Sequence, residues 1–477
     1  MKPKLRQRRP TDARGAALAI LQSVRDGAPF ETALERAVTL LAPDDRRLAH
    51  ELAAGVLRER APLDALLTPH VTRGWDAVQP ILQDVLRLGA YQLAALDRIP
   101  PHAAVSATVE LARAQTSDKQ SGFVNAVLRK LATGGARLPI ITPFDAQSIG
   151  TTARPAVNET MSLFDFADED DHTTAAPRET DEERAERLAS SYSHPAWLVA
   201  RWLRRFGARQ TEQLLRWNNS RPPLTLQPAR DSFEELAARL QGADVPMHPA
   251  PYGAGLVVPR GRPDALPGFG DGAFLVQDAA QALVSWYADI EPGALVYDAC
   301  AAPGGKALAA GRLARLVIAA DQSLDRTHRL AANLRRAGSG RERVVVADAL
   351  APPIRAADLV HLDAPCLGTG TFARHPDARH RVTERALAEL AARQSDLLDA
   401  LAPSVRLGGR LVYSTCSLEP EENAEQVRSF LARHPDFRRE PNLDLPAALR
   451  SAEGDLLLLP QVHGTDGAFC ARLRRDG

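Results

Sequence analysis

From residue 295 onward the chain repeats one unit: a short apolar run, a turn, then a helical stretch. Four of these runs end in aspartate. Leu295-Val-Tyr leads to Asp298, Leu316-Val-Ile-Ala-Ala320 to Asp321, Val344-Val-Val346 through Ala347 to Asp348, and Asp358-Leu-Val-His-Leu to Asp363. Uninterrupted apolar strands alternating with helices predict a parallel sheet covered on both faces. Ligands of such sheets sit beyond the carboxyl ends of the strands. Four carboxylates at strand ends therefore mark one binding edge, and packing alone does not require them.

The loop after the first strand reads Cys300-Ala301-Ala302-Pro303-Gly304-Gly305-Lys306. It lacks the G-x-G-x-x-G of a dinucleotide site, and Ala307 stands where a phosphate-binding loop needs Ser or Thr. A compact glycine turn followed by an acid at the next strand end suits a ligand with a ribose and no phosphate. S-adenosylmethionine has that form. Gly304 and Gly305 would let the backbone approach it, Asp321 would take the ribose hydroxyls, and Asp348 lies where the adenine would be. No Cys/His spacing resembles a zinc site, and no metal is expected.

Two further strings carry reactive groups. One is Asp363-Ala-Pro-Cys-Leu-Gly-Thr-Gly370, followed by Arg374-His-Pro-Asp377; the other is Leu411-Val-Tyr-Ser-Thr-Cys-Ser-Leu-Glu-Pro-Glu-Glu-Asn423. Together with the Cys300 loop these strings resemble the RNA (cytosine-5) methyltransferases, and the resemblance implies their chemistry: cytosine C5 is a poor nucleophile, so a thiolate adds at C6 and a polar group on the N3/N4 edge stabilises the charge that develops. Cys366 and Cys416 offer the thiol, Asp363 the base edge, and Lys306 a nearby cation. Spacing leaves the nucleophile open between the two cysteines. Cys300 reads as part of the cofactor loop, and Cys470 has no argued role. Four cysteines in 477 residues cannot build a disulfide framework. No apolar core follows the basic start, and no stretch is long and apolar enough to span a membrane. A cytoplasmic, membrane-free protein is expected.

The first 140 residues differ in kind. Stretches 13–25, 31–41, 77–96, 102–115 and 118–132 carry apolar residues at helical spacing, and Asp44 caps another helix before Leu48, Leu52 and Val56. An all-α bundle is expected. Arg14-Gly-Ala-Ala-Leu-Ala-Ile-Leu21, the VLRLGAYQL string from Val85 to Leu93, and Phe123-Val-Asn-Ala-Val-Leu-Arg129 resemble the RNA-binding domain of the antitermination factor NusB, which implies RNA contact. Net charge is zero over the chain, yet residues 1–140 hold 20 basic and 14 acidic groups, and residues 141–190 hold 4 and 12. The excess of positive charge suits a polyanionic partner. The acidic segment, with Asp168-Glu169-Asp170-Asp171 and Asp181-Glu182-Glu183, reads as a disordered linker. After it, helices at 196–206 and 208–217, a helix at 232–241 and short strands at 224–226, 255–258 and 273–276 predict a small α+β subdomain.

Taken in order, the three strings from Cys300, Asp363 and Leu411 resemble the RNA (cytosine-5) methyltransferases across residues 190–475. With the NusB-like start, the whole chain is similar to the RsmB family (also called Sun or Fmu) of bacterial 16S rRNA methyltransferases. Leu367 and Ala307 depart from it, where Ser and Thr are usual. The resemblance implies S-adenosylmethionine as cofactor, held by Cys300, Ala301, Ala302, Pro303, Gly304, Gly305, Lys306, Asp321, Asp348 and Asp363. It makes Cys416 the nucleophile and gives Cys366 a part in product release. Its target is cytosine 967 of 16S rRNA, free or in an early assembly intermediate, approached by a monomer. Other RNAs of the same chemistry are tRNA and 23S rRNA, and a chain lacking activity would be an RNA-binding assembly factor. The expected organisation is multidomain: a NusB-like all-α domain over 1–138, an acidic linker over 139–188, a small α+β subdomain over 189–270, and a Rossmann-like α/β methyltransferase domain over 271–477.

Overall fold

The computed structural model describes residues 10–135, 137–138, 179–259 and 261–476. Their contacts fall into two compact units. One takes the described residues up to 138, residues 179–220 and Phe372–Arg381; the other takes 221–371 and the rest of the chain from Val382.

The first unit is helical: α1 (Ala13–Arg25), α2 (Phe30–Val38), α3 (Pro43–Arg58), α4 (Arg60–Leu67), α5 (Pro80–Ala95), α6 (Pro101–Gln115), α7 (Asp118–Thr133), α8 (Asp181–Tyr192) and α9 (Ala196–Asn219). Its core is the apolar stripe that the helical spacing marks, with Leu18, Leu52, Leu86, Leu88 and Leu128 all fully buried or nearly so. The sequence reading missed α4, which follows α3 after a break at Glu59. Gly207, at φ 73°, breaks α9 into the two helices expected there.

Most of the acidic linker lies outside the described residues. Its last part is not a linker. Thr180 and Glu183 form a reciprocal capping box, and Asp181, Glu182 and Glu183 fill the first turn of α8. Negative charge at a helix N-terminus is stabilised by the helix dipole. The Asp181-Glu182-Glu183 run is a helix start, while the Asp168-Glu169-Asp170-Asp171 run lies outside the described residues.

In the second unit β1 (Leu224–Pro228), β2 (His248–Pro249), β3 (Leu256–Val258) and β4 (Phe274–Val276) form an antiparallel sheet in the order β2-β3-β1-β4. Helix α10 (Phe233–Gln241) buries Leu236 and Leu240 against it. The larger sheet contains β5 (Leu295–Asp298), β6 (Leu316–Asp321), β7 (Glu342–Val346), β8 (Ala357–Asp363), β9 (Val405–Thr415), β10 (Phe437–Arg439), β11 (Leu456–Leu458) and β12 (Ala468–Arg475). The order is β10-β12-β9-β8-β5-β6-β7, with β11 also on β12. Strands β5 to β9 pair in parallel, while β12 lies antiparallel on β9. Alternate residues face opposite layers. Val296, Val317, Ala319 and Val412 pack beside α11 (Ala279–Ala288) and α12 (Gly305–Gly311), with Leu330 and Leu334 of α13 (Leu324–Ala337) in the same core. Tyr297, Val360, Leu362, Leu411 and Tyr413 face α14 (Glu384–Leu401) and α15 (Ala424–Arg433).

Chain order fixes where a ligand can enter. From β5 the chain steps to β6 and β7, then returns to the other side of β5 with β8 and β9. That reversal opens a crevice at the carboxyl ends of β5 and β8. Asp298 and Asp363 flank it.

Candidate active site

Asp298 closes β5 at 1% exposure; no side chain hydrogen-bonds either carboxylate oxygen, and the Cys300 N–H is the one backbone donor close enough to favour its ionised form. Burial pushes its carboxyl up to about 7; Lys306 opposes that shift, and Asp363 and Asp321 add to it. The loop beyond turns at Gly304, where φ is +115° and a side chain would be strained, and a Cβ there would also lie 2.9 Å from Leu330. The loop is tied to the neighbouring strands by Ala299 N–H to His361 O (2.9 Å) and Ala301 N–H to Ala320 O (2.8 Å).

Lys306 sits in the first turn of α12 and points across the crevice. Its Nζ donates to Asp363 Oδ2 (2.6 Å) and to Gln281 of α11. The other Asp363 oxygen accepts the Ser414 hydroxyl at 2.9 Å. Burial would raise the Asp363 carboxyl, but Lys306, His361 and Ser414 outweigh it and hold it below its ordinary value. Burial would likewise lower the Lys306 ammonium, and Asp363 and Asp298 more than reverse that. The pair is therefore an ion pair at neutral pH. His361, pushed down to about 4 by burial first, is neutral. Its Nε2 lies 3.1 Å from Ser414 Oγ. The single Ser414 proton goes to Asp363, so His361 donates from Nε2.

The two cysteines meet. Cys366 Sγ, on the loop after β8, lies 3.4 Å from Cys416 Sγ, just past the end of β9. Loop 364–371 is sewn to the β9 end by Ala364 N–H to Ser414 O (2.8 Å) and Gly370 N–H to Cys416 O (2.9 Å). Gly370 is obligatory there: a Cβ would come within 2.8 Å of Cys416 O and 2.7 Å of Gly467. The Cys416 sulfur, burial and the Glu422 carboxylate all raise the Cys366 thiol well above its ordinary value. Burial first, then nearby carboxylates, pushes Cys300 up to about 12 and raises Cys470 as well. None of these three is a ready thiolate.

At the end of β6, Asp321 is 1% exposed. Oδ1 accepts Ser323 N–H (2.9 Å) and Arg326 Nε (3.0 Å), while Oδ2 is buried without a partner. Asp348 is exposed and turns Oδ1 back onto Leu350 N–H of its own loop at 3.0 Å. Buried oxygens without side-chain partners on Asp298 and Asp321, beside a glycine turn, fit a ligand bearing a cation and hydroxyl donors. That donor set suits the aminocarboxylpropyl and ribose ends of S-adenosylmethionine. Among the described residues no cluster of His, Cys, Asp or Glu could hold a metal ion, and no helix is long and apolar enough to cross a membrane.

The structure thus brings Lys306, Asp363, Cys366 and Cys416 together, with Asp298 and Asp321 along the same edge. Sequence reasoning missed the buried partners of these groups: Gln281, His361, Gln394, Ser414 and Glu422. Two of them, Ser414 and Glu422, stand in the string that carries Cys416. Their signal was adjacency, and nothing in the sequence told which way they face. The Arg374-His-Pro-Asp377 string goes elsewhere, into the helical unit. There Asp377 accepts Phe30 N–H at 3.1 Å, and His375 is exposed.

Comparison with known proteins agrees with this architecture. Residues 287–474 match the model of the 16S rRNA methyltransferase RsmB/F, 11–133 the NusB family, and 194–263 the ferredoxin-like domain of RsmF/B-like methyltransferases. The ferredoxin-like match takes in α9, which packs with the helical unit here. The probable ribosomal RNA small subunit methyltransferase B of Synechocystis is 33% identical over 97% of this chain and 99% of its own. Its Klebsiella pneumoniae counterpart is 33% identical, covering 96% of each. Among solved structures, PH0851 shares the fold across 98% of the chain with TM-score 0.73 at 24% identity. NSun6 of Pyrococcus horikoshii, solved with SFG, aligns over 59% of the chain with TM-score 0.52 at 20% identity. With a NusB domain, a ferredoxin-like domain and a methyltransferase core in one chain, this protein belongs to the RsmB family of 16S rRNA methyltransferases.

Proposed function

We propose that the site methylates C5 of a cytosine in 16S rRNA through a covalent bond between Cys416 and C6, with cytosine 967 as the family's target. The observation that carries this reading is the pair of thiols 3.4 Å apart beside an ionised, doubly held Asp363. A methyltransferase that only positioned an already nucleophilic atom would need neither thiol.

S-adenosylmethionine supplies an electrophilic methyl group when bound, and Asp298, Asp321 and the 299–305 loop are the groups that would hold it. Cys416 adds to C6 as a thiolate, which makes C5 nucleophilic. Asp363, held as a carboxylate, accepts from the N4 amino group rather than donating a proton. The Lys306 ammonium beside it offsets negative charge developing along the same edge. After C5 has taken the methyl group, loss of the C5 proton and expulsion of the Cys416 thiolate restore the base. Cys366, a protonated thiol 3.4 Å from Cys416, gives its proton to the departing Cys416 sulfur and, as the thiolate so formed, takes the C5 proton, so the C5–H electron pair re-forms the C5–C6 double bond and both thiols end protonated. The helical NusB-like domain supplies RNA affinity, in keeping with its 20 basic against 14 acidic groups over residues 1–140.

Bisulfite mapping of small-subunit rRNA, 23S rRNA and tRNA, each treated with the enzyme and S-adenosylmethionine, tests the proposal. A single protected cytosine is expected. Protection confined to tRNA or 23S rRNA, or none on any RNA, would refute it.

A further inference from the structure

Cys366 sits on a loop, and something must aim its thiol. Glu422, in the turn after Cys416, is fully buried with its carboxylate pointing at the backbone of that loop. Both its oxygens accept Leu367 N–H, at 3.0 and 3.3 Å. Gln394 of α14 donates Nε2 to Glu422 (3.0 Å) and to Pro365 O (2.8 Å). Tyr413 closes the circuit, its one hydroxyl proton shared between Glu422 O (2.5 Å) and Gln394 Oε1 (3.1 Å). The peptide groups on both sides of Cys366 are thus fixed by one buried network.

Burial raises the Glu422 carboxyl, and the hydrogen bonds from Ser417, Leu367 and Gln394 work against that rise; such a buried group is costly, and a hydrophobic core would stabilise this region as well or better. A network of this kind is kept where it specifies one arrangement. We propose that Glu422 is a positioning residue for product release: with Gln394 it holds the 365–367 turn so that the Cys366 thiol stays opposite Cys416. This rests on the proposed roles of the two cysteines. The Glu422 carboxylate also helps keep Cys366 protonated, the form that release requires.

The test uses the full chain with labelled small-subunit rRNA and S-adenosylmethionine. Glu422→Gln keeps the shape but exchanges a charge-assisted acceptor for a neutral amide, a change worth about tenfold or more in the step it supports. Turnover should fall by about that factor, and a denaturant-resistant protein–RNA adduct should accumulate while cofactor affinity stays unchanged. Gln394→Met should stall in the same way, and it carries the test if Glu422→Gln does not fold. In a Cys366→Ala background Glu422→Gln should add no further loss, because both act on one step. Normal turnover in both network variants, or turnover lost without adduct while Cys366→Ala does trap one, would overturn the positioning role alone. Absence of adduct in Cys366→Ala itself would instead bring down the cysteine assignment and this inference with it.

Discussion

Each unit buries a charge, and the two are handled differently. In the helical unit Arg379 is fully buried, and its guanidinium donates to Asn219 Oδ1, Asn218 O (2.6 Å) and Phe372 O (3.0 Å). Burial lowers it to about 9, so it stays charged at neutral pH. At the sheet edge Asp298 is as deeply buried, yet no side chain hydrogen-bonds either of its oxygens, and Asp321 Oδ2 is likewise without a partner. A buried charge with several partners is a structural staple. On the proposed reading, the buried carboxylate oxygens without side-chain partners at the strand ends are where the cofactor seats.

The contrast can be broken from either side. The largest expected effect is at the staple. Arg379→Met leaves Asn218 O, Phe372 O and Asn219 without their donor, and should cost about 3–5 kcal/mol of stability in chemical denaturation. A loss below about 1 kcal/mol would show the cluster to be incidental. The seat should behave differently. Asp321→Ala should cost less stability than Arg379→Met, about 1–3 kcal/mol as Ser323 N–H and Arg326 lose their acceptor, and weaken S-adenosylmethionine binding by about 1.5–3 kcal/mol in titration calorimetry. Equal affinity in a folded variant would remove Asp321 from the cofactor site.

A smaller effect comes from pH. The Asp298 carboxyl is raised to about 7 in the folded chain, against about 4 for a free aspartate. Protonation therefore favours the fold, and that contribution fades as pH rises from about 4 to 7, by at most about 1.4 kcal/mol per pH unit. A ligand bringing a cation to Asp298 needs the ionised form, so cofactor affinity should strengthen as pH rises through about 7. Both trends should flatten in Asp298→Asn. A wild-type affinity unchanged between pH 6 and 8 would place the cation elsewhere.

The same contrast explains what the sequence made readable. Helix spacing from Leu48 to Val56, and four apolar runs ending at Asp298, Asp321, Asp348 and Asp363, are local patterns, and the elements form where those patterns lie. Motif strings located Lys306, Asp363, Cys366 and Cys416 for a similar reason, since each stands at a strand end, in the turn beyond it or, for Lys306, in the first turn of the helix that follows. Partners were not legible. Gln394 reaches Pro365 and Glu422 from a helix, and Arg379 finds Asn218 and Asn219 about 160 positions away in the chain. Such pairs depend on how elements pack, which no local pattern records. The acidic Asp181-Glu182-Glu183 run shows the converse error. Charge density alone reads as disorder, while the capping pair Thr180 and Glu183 at its edge specifies a helix.

One measurement bears most directly on the chemistry. Labelled small-subunit rRNA is incubated with S-adenosylmethionine and each of two full-length variants, then run on a denaturing gel. Cys416→Ala should form no covalent species and transfer no methyl group, because no thiolate adds to C6. Cys366→Ala should methylate once and stall, giving a band in which protein and RNA migrate together. An adduct in Cys416→Ala and none in Cys366→Ala would reverse the two roles, and no adduct in either would contradict the covalent mechanism.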